Sequence, residues 1–314
     1  MKKLACVLFL AATVVGCEKT PSKLDDISTK MPKALQIDSA AAAGADHSGS
    51  VEERLTRLEN EAAKNREALN FLNQVYAQQK AQAEQQEASE PAPDAMFAVP
   101  VAGDIKAGMA EGPASAPVTI VKAFDFACPY CMKTSDMMTE LVKEYGGKVR
   151  VVYKNLVVHP DSAMPGHLAS CAAAKQGKYV EFKKAFWEKA FMPYAQSRGA
   201  EPGKMGKDNI LAFSKEIGLD TTKLAADMDG EECKKLVAQD MSELEAFKVG
   251  ATPTFFINGR IIAGALPKEQ FKQVIDEELK KAEASGVPGA EYYDKVVMAK
   301  GEKKFRSKKE PKPQ

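Results

Sequence analysis

Cys128-Pro129-Tyr130-Cys131 directly follows a β-branched run ending at Phe124 and opens a stretch, 129–145, with helical periodicity. A cysteine pair at such a junction restricts the chain to folds in which a strand hands over directly to a helix. The spacing puts both sulfurs on the first helical turn, in unequal positions. Cys128 takes the cap position, where unpaired N–H groups and the positive end of the helix dipole favour its thiolate. Pro129 suits the first helical position, because its missing N–H would have no partner there. Cys131, one turn in, is expected to be shielded. The pair reads as a redox centre in which Cys128 attacks and is attacked, while Cys131 resolves the mixed disulfide. Two other uses compete. A structural zinc half-site would need two more ligands, and outside the motif the chain offers only His47, His159 and His167, with no second close cysteine pair. An inert local bridge would not need this junction. The redox reading requires no cofactor and no metal.

The flanking pattern gives the motif its setting. Residues 97–101, 118–124 and 149–156 read as strands, and the last two with helix 129–145 between them form a β-α-β unit. From about 162 to 248 the periodicity is helical almost throughout, as in Leu168, Cys171 and Ala172 followed by Tyr179, Phe182, Phe186 and Trp187. Two short strands, 254–257 and 260–263, flank Asn258-Gly259, a strong hairpin signal, and an amphipathic helix at 267–284 closes the unit. The fold class is therefore α/β: one domain at 96–286 with an all-helical insertion at about 162–248. A basic tail occupies 287–314, and its Pro-ended stretch 300–314 is expected to be solvated and disordered.

The amino-terminal third is organised differently. Met1-Lys2-Lys3 precedes an apolar run to Val15 that is too short to span a membrane but suits a signal peptide of residues 1–16. Its end, Val14-Val15-Gly16-Cys17, resembles a lipobox, which would make Cys17 the lipidated first residue of an envelope lipoprotein facing the periplasm. An ordinary secretory signal would export the chain equally well. Glu18 in place of an aspartate after Cys17 favours the outer membrane. Residues 17–50 have little apolar periodicity and read as a flexible tether. Val51, Leu55, Leu58, Ala62, Asn65, Leu69, Leu72 and Tyr76 then recur in alternating steps of four and three, giving one apolar seam on a coiled-coil helix over 51–88. So narrow a seam is best buried by self-association, as dimer or trimer; a solvated helical spacer is the alternative. Glu90-Pro91-Ala92-Pro93 ends the helix in a linker at 89–95.

With 44 basic and 43 acidic residues there is no global field to recruit nucleic acid. Of six cysteines, Cys6 leaves with the signal. Cys171 and Cys233, on separate helices of the insertion, are expected to form a structural disulfide in an oxidising compartment. A second redox relay there would lack helix-start geometry.

The stretch from Phe124 to Cys131, the helical insertion, and Gly250-Ala251-Thr252-Pro253-Thr254-Phe255-Phe256-Ile257-Asn258-Gly259 together resemble the DsbA-like branch of the thioredoxin superfamily. The resemblance implies a thioredoxin-like fold, a cis Thr252-Pro253 bond against the active-site disulfide, and a substrate groove bordered by Pro129, Tyr130, Thr252 and Pro253. It implies protein disulfide oxidoreductase activity on unfolded or newly exported thiol proteins, with a membrane redox partner. That partner would be DsbB-like for an oxidase and DsbD-like for an oligomeric isomerase or reductase; a non-catalytic, lipid-anchored binding module is the third possibility. One position departs from the pattern. Relatives often carry a buried acid six residues before the first cysteine, where this chain has Lys122, which either lies near the thiols and favours thiolate or points outward.

Overall fold

The computed structural model describes residues 47–312; the expected signal peptide, Cys17 and most of the tether lie outside them. The chain divides at Gln85 and Gln86 into two compact units. The described residues of the first, 47–85, lie mostly in α1 (Val51–Ser89), a continuous helix of 39 residues with no buried residue that runs on past Gln85. Ser50 and Glu53 cap its start reciprocally, the Glu53 N–H donating to Ser50 Oγ at 3.2 Å and the Ser50 N–H to Glu53 Oε2 at 2.8 Å. Leu55, Leu58, Leu69, Leu72 and Tyr76 of the heptad seam stand exposed.

The second unit is built on a five-stranded sheet in the order β1-β3-β2-β4-β5. β2 (Val118–Phe124) and β3 (Val149–Asn155) are parallel, joined by α3 (Pro129–Glu144) once α2 (Ala102–Lys106) and β1 (Ala110–Glu111) have been laid down. β4 (Thr254–Ile257) runs antiparallel to β2, and β5 (Arg260–Ala263) antiparallel to β4. The turn between them uses Asn258 at φ 45° and Gly259 at φ 88°, the left-handed pair that a tight hairpin requires. Gly259 is also close to the backbone of Phe97, where a Cβ would lie 2.9 Å from the carbonyl oxygen.

Every residue of β2 and β3 is buried, and the two-residue period deals them into two cores. Ile120, Val151, Tyr153, Phe255 and Ile257 face one core, shared with α3 and the insertion. Val121, Ala123, Val152 and Phe256 face the other, with Phe97, Phe247, Tyr292 and Tyr293. The insertion runs α4 (Pro160–Ala174), α5 (Tyr179–Phe186), α6 (Met192–Gln196), α7 (Lys207–Glu216), α8 (Thr221–Asp229) and α9 (Glu231–Glu245). Cys171 on α4 and Cys233 on α9 are joined by a disulfide, with Cα atoms 5.6 Å apart. A buried charge cluster ties α9 to the sheet. Lys154 Nζ donates to Asp104 and Asp240 at 2.8 Å and to Glu243 at 2.6 Å, and Asn155 donates twice to Asp240. α10 (Lys268–Ala284) completes the layer.

Three features differ from the sequence reading. Residues 97–101 are not a strand: Phe97 makes one isolated bridge, to Glu302, because Pro100 has no N–H to donate and Val101 already caps α2. β1, with only two residues, gave no periodic signal. The stretch from 300, expected to be disordered, is ordered and packed as far as it is described, and the residues before it are packed as well. α11 (Gly289–Tyr292) leads into a π-helical segment at Tyr293–Met298 that buries Tyr292, Tyr293 and Val297. Phe305 stacks on Phe97 at 5.9 Å, and the buried Arg306 pairs with Glu302 and Asp94. These few anchors outweigh the basic composition because the lysines between them remain exposed or find carboxylates. The linker joins in, with Ala92 and Ala95 buried and the Ala92 N–H bonded to the Arg306 carbonyl at 3.0 Å.

Candidate active site

β2 ends at Phe124 and α3 begins at Pro129, so the intervening loop must be held rigid to fix two sulfurs. Asp125, fully buried, does this. One carboxylate oxygen accepts the Ala127 N–H at 2.6 Å, and the other accepts the N–H groups of Val158 and His159 at 2.5 and 2.9 Å, joining the loop after β2 to the loop after β3. His167 of α4 supports the same loop. Its Nε2 accepts the Phe126 N–H at 3.3 Å while Nδ1 lies 2.7 Å from Asn155 Oδ1, an arrangement that assigns the proton to Nδ1. Burial lowers its pKa to about 4, so the ring is neutral near pH 7.

Cys128 occupies the N-cap of α3 in extended conformation (φ −95°, ψ 118°), and its carbonyl accepts the Cys131 N–H at 3.0 Å. Both cysteines are free thiols. Across the site the Thr252-Pro253 bond is cis, and the Cys128 thiol faces the Thr252 carbonyl oxygen at 3.4 Å. Hydrogen bonding from the Cys131 thiol, then from the Thr252 side chain and the N–H groups of Cys131 and Tyr130, lowers the Cys128 pKa to about 5 against the opposing effect of burial. Cys131 is wholly buried, and its thiol is pushed far up, first by desolvation and then by its hydrogen bond to Cys128. The Asp125 N–H approaches its sulfur at 3.5 Å.

The structure thus brings Cys128, Cys131, Thr252 and Pro253 together, with Pro129 at the helix start and the Tyr130 side chain 62% exposed beside them. Leu156, Met241, Val249 and Gly250 line an open groove of about 670 Å³ next to the 250–253 loop. Lys122 does not point outward: it is 1% exposed, and its Nζ donates to the Cys131 carbonyl oxygen at 3.1 Å. In the sequence His167 stands out only as a candidate metal ligand, and Asp125 has no fixed role. An acid two residues before an N–H in a tight loop was the available signal for Asp125; His167 gave none.

A family model described as Thioredoxin matches residues 104–277, more than half of the chain. The chain belongs to the thioredoxin family. The thioredoxin-like fold, here with a helical insertion, follows from that membership together with the sheet order described above. Among curated relatives, the chain is 28% identical over 177 residues to a Na(+)/H(+) antiporter NhaA of Herminiimonas arsenicoxydans, covering 56% of this chain and 26% of that protein. It is 26% identical over 174 residues to disulfide bond formation protein D of Bacillus subtilis, covering 54% of this chain and 76% of that one. A thioredoxin-like oxidoreductase from Silicibacter pomeroyi aligns in structure with a TM-score of 0.47 and 27% identity, covering 55% of this chain and 91% of that one. The first relatives are much longer proteins, of which this thioredoxin-family chain spans about a quarter.

Proposed function

We propose that this chain is an exported protein disulfide oxidoreductase that passes a Cys128–Cys131 disulfide to thiol-bearing proteins in the cell envelope. The observation that carries the reading is the asymmetry of the pair: Cys128 is held near pKa 5 at a helix start, and Cys131 is buried beside it with its thiol pushed up. Such a pair favours the reduced form with a Cys128 thiolate, which makes the disulfide oxidising. The resemblance of residues 96–286 to DsbA-like proteins and the match to disulfide bond formation protein D support the same direction.

In this reading a substrate thiolate attacks Cys128 Sγ, and Cys131 leaves as the buried sulfur. A second substrate thiol then displaces Cys128, a good leaving group because its thiolate is favoured. Thr252 offers its backbone to the substrate, and Pro129, Tyr130 and Pro253 border the groove. A membrane redox partner of DsbB type would restore the disulfide. Cys17 would anchor the chain by lipid to the envelope, with the outer membrane favoured, and α1 would join copies through its seam. No helix among the described residues is long and apolar enough to cross a membrane.

One observation favours a second reading. The exposed seam of Leu55, Leu58, Leu69 and Leu72 suits an oligomer that poises two sites over one substrate, as an isomerase or reductase kept reduced by a DsbD-type donor would need. Thiol trapping of Cys128 in the native envelope separates the readings: mostly disulfide for an oxidase, mostly thiol for an isomerase, and no turnover for a mere binding module.

A further inference from the structure

Three lysines are buried in the second unit: Lys122, Lys154 and Lys183. Lys154 lies among three carboxylates, and Lys183 sits 2.9 Å from Glu111. Among the described residues Lys122 has no carboxylate within ion-pair distance. Its Nζ reaches the Cys131 carbonyl at 3.1 Å and lies 5.8 Å from the centre of the Phe255 ring. Register fixes it there, since Lys122 pairs with Tyr153 on one side and Phe255 on the other in the middle of the sheet. An uncompensated ammonium in such a place is costly, and the groups able to offset it are those of the redox pair itself.

We propose that Lys122 is a redox-linked proton site: it takes up a proton when the Cys128–Cys131 disulfide is reduced and gives it up when the disulfide re-forms. The inference rests on the reading of the pair as a redox centre. In the oxidised protein Lys122 faces a neutral disulfide. The remaining charged groups that act on it are Glu111 on β1, which favours the ammonium, and Lys183 on α5, which opposes it. Reduction places a thiolate on Cys128, at the start of α3, and the ammonium becomes its counter-charge.

The step balances. A substrate dithiol supplies two electrons and two protons and closes its own S–S bond. The Cys128–Cys131 bond breaks, Cys128 keeps a negative charge, Cys131 takes one proton as a thiol, and the Lys122 amine takes the other as ammonium. The geometry agrees with the electrostatics of the reduced state. Burial lowers the Lys122 pKa to about 7, with Cys131 and then Cys128 acting against that fall. Oxidation removes the negative charge of Cys128, the sulfur that is thiolate in this pH range, and so favours the neutral amine further. Extra proton uptake is therefore expected from above about pH 5, where Cys128 is already thiolate, up to about pH 7.

The test is the pH dependence of the equilibrium between the full chain and glutathione, which releases two protons per disulfide formed. Where the protein takes up a second proton, between about pH 5 and 7, the equilibrium constant should rise clearly less steeply than tenfold per pH unit. With Lys122→Met only one is taken up, and the constant should rise about tenfold per pH unit. Lys122→Arg, charged in both states, should show the same rise. Side-chain NMR of Lys122 in the unsubstituted protein gives a readout that does not depend on how the variants fold, and its titration midpoint should lie lower in the oxidised than in the reduced form. Parallel pH profiles for all three proteins, or identical midpoints in the two redox states, would overturn the inference while leaving the redox centre in place. Failure of the unsubstituted protein to exchange with glutathione at all would overturn both.

Discussion

The sulfur of Cys128 faces the carbonyl oxygen of Thr252 at 3.4 Å, although 124 residues separate the two. The loop that carries Thr252 enters β4, and β4 pairs directly with β2, the strand leading to Cys128. One antiparallel pairing thus brings the reactive sulfur and the edge of the proposed substrate groove together. It also leaves Cys131 behind both of them, and this unequal access underlies the first prediction.

Cys128→Ser is expected to abolish thiol-disulfide exchange, whereas Cys131→Ser should retain attack and accumulate mixed disulfides. Non-reducing electrophoresis of acid-quenched extracts distinguishes them. Equal loss in both variants, without adducts in the second, would contradict the assigned roles.

The nucleophile should titrate well below an ordinary thiol. With the Cys128 pKa held at about 5 in the folded protein, its thiolate is stabilised, and that contribution to stability is present above the unfolded thiol pKa and lost as pH falls through about 5. Iodoacetamide alkylation of the reduced protein should accordingly show a midpoint near 5, and the absorbance of the thiolate at 240 nm should follow the same curve. A midpoint near 8 would mean that the helix start and Thr252 do not act on the sulfur as described.

The Cys171–Cys233 bond closes a loop of 62 residues within the insertion. Replacing both cysteines by alanine is expected to cost about 4 kcal/mol of stability on the chain-entropy account. The effect on Cys128 chemistry should be small, since α4 and α9 do not supply either reactive sulfur. Urea denaturation paired with the alkylation assay checks both halves of this expectation.

Removing everything after Gly286 should destabilise the second unit, contrary to what a solvated tail would do. Tyr292, Tyr293 and Val297 are buried, and the Tyr293 hydroxyl donates to the Val99 carbonyl at 2.8 Å. Loss of three such side chains is expected to cost upwards of about 4 kcal/mol. An unchanged urea midpoint in the truncated protein would show that the contacts contribute nothing.

Deletion of residues 51–85 tests whether the exposed seam joins copies of the chain. The second compact unit begins at Gln86 and has its own core, so it should remain folded. Light scattering at micromolar concentration should report an oligomer before the deletion and a monomer after it. Isomerisation of scrambled substrates should fall more than simple oxidation. A monomer in both cases would dispose of the oligomeric reading.

What the sequence determined by itself was local and periodic. The β-branched runs of β2 and β3, the Asn258-Gly259 hairpin, the helical insertion and the position of Cys128 at a helix start follow from backbone preferences within a few residues, which any single chain displays. The heptad seam belongs to the same class. Tertiary structure decided the rest, because burial and pairing join residues that the pattern leaves far apart. A lysine within a strand carries no sign of whether it lies at the edge or the centre of a sheet, so only the β3-β2-β4 order buries Lys122 beneath Cys131. Residues 97–101 have the composition of a strand but make only one isolated bridge, at Phe97, before Pro100 and the start of α2 end the run. The basic tail has the composition of a solvated segment, yet Phe305 and Arg306 found partners in Phe97 and Asp94, two hundred residues earlier in the chain, and a few such contacts outweigh average polarity.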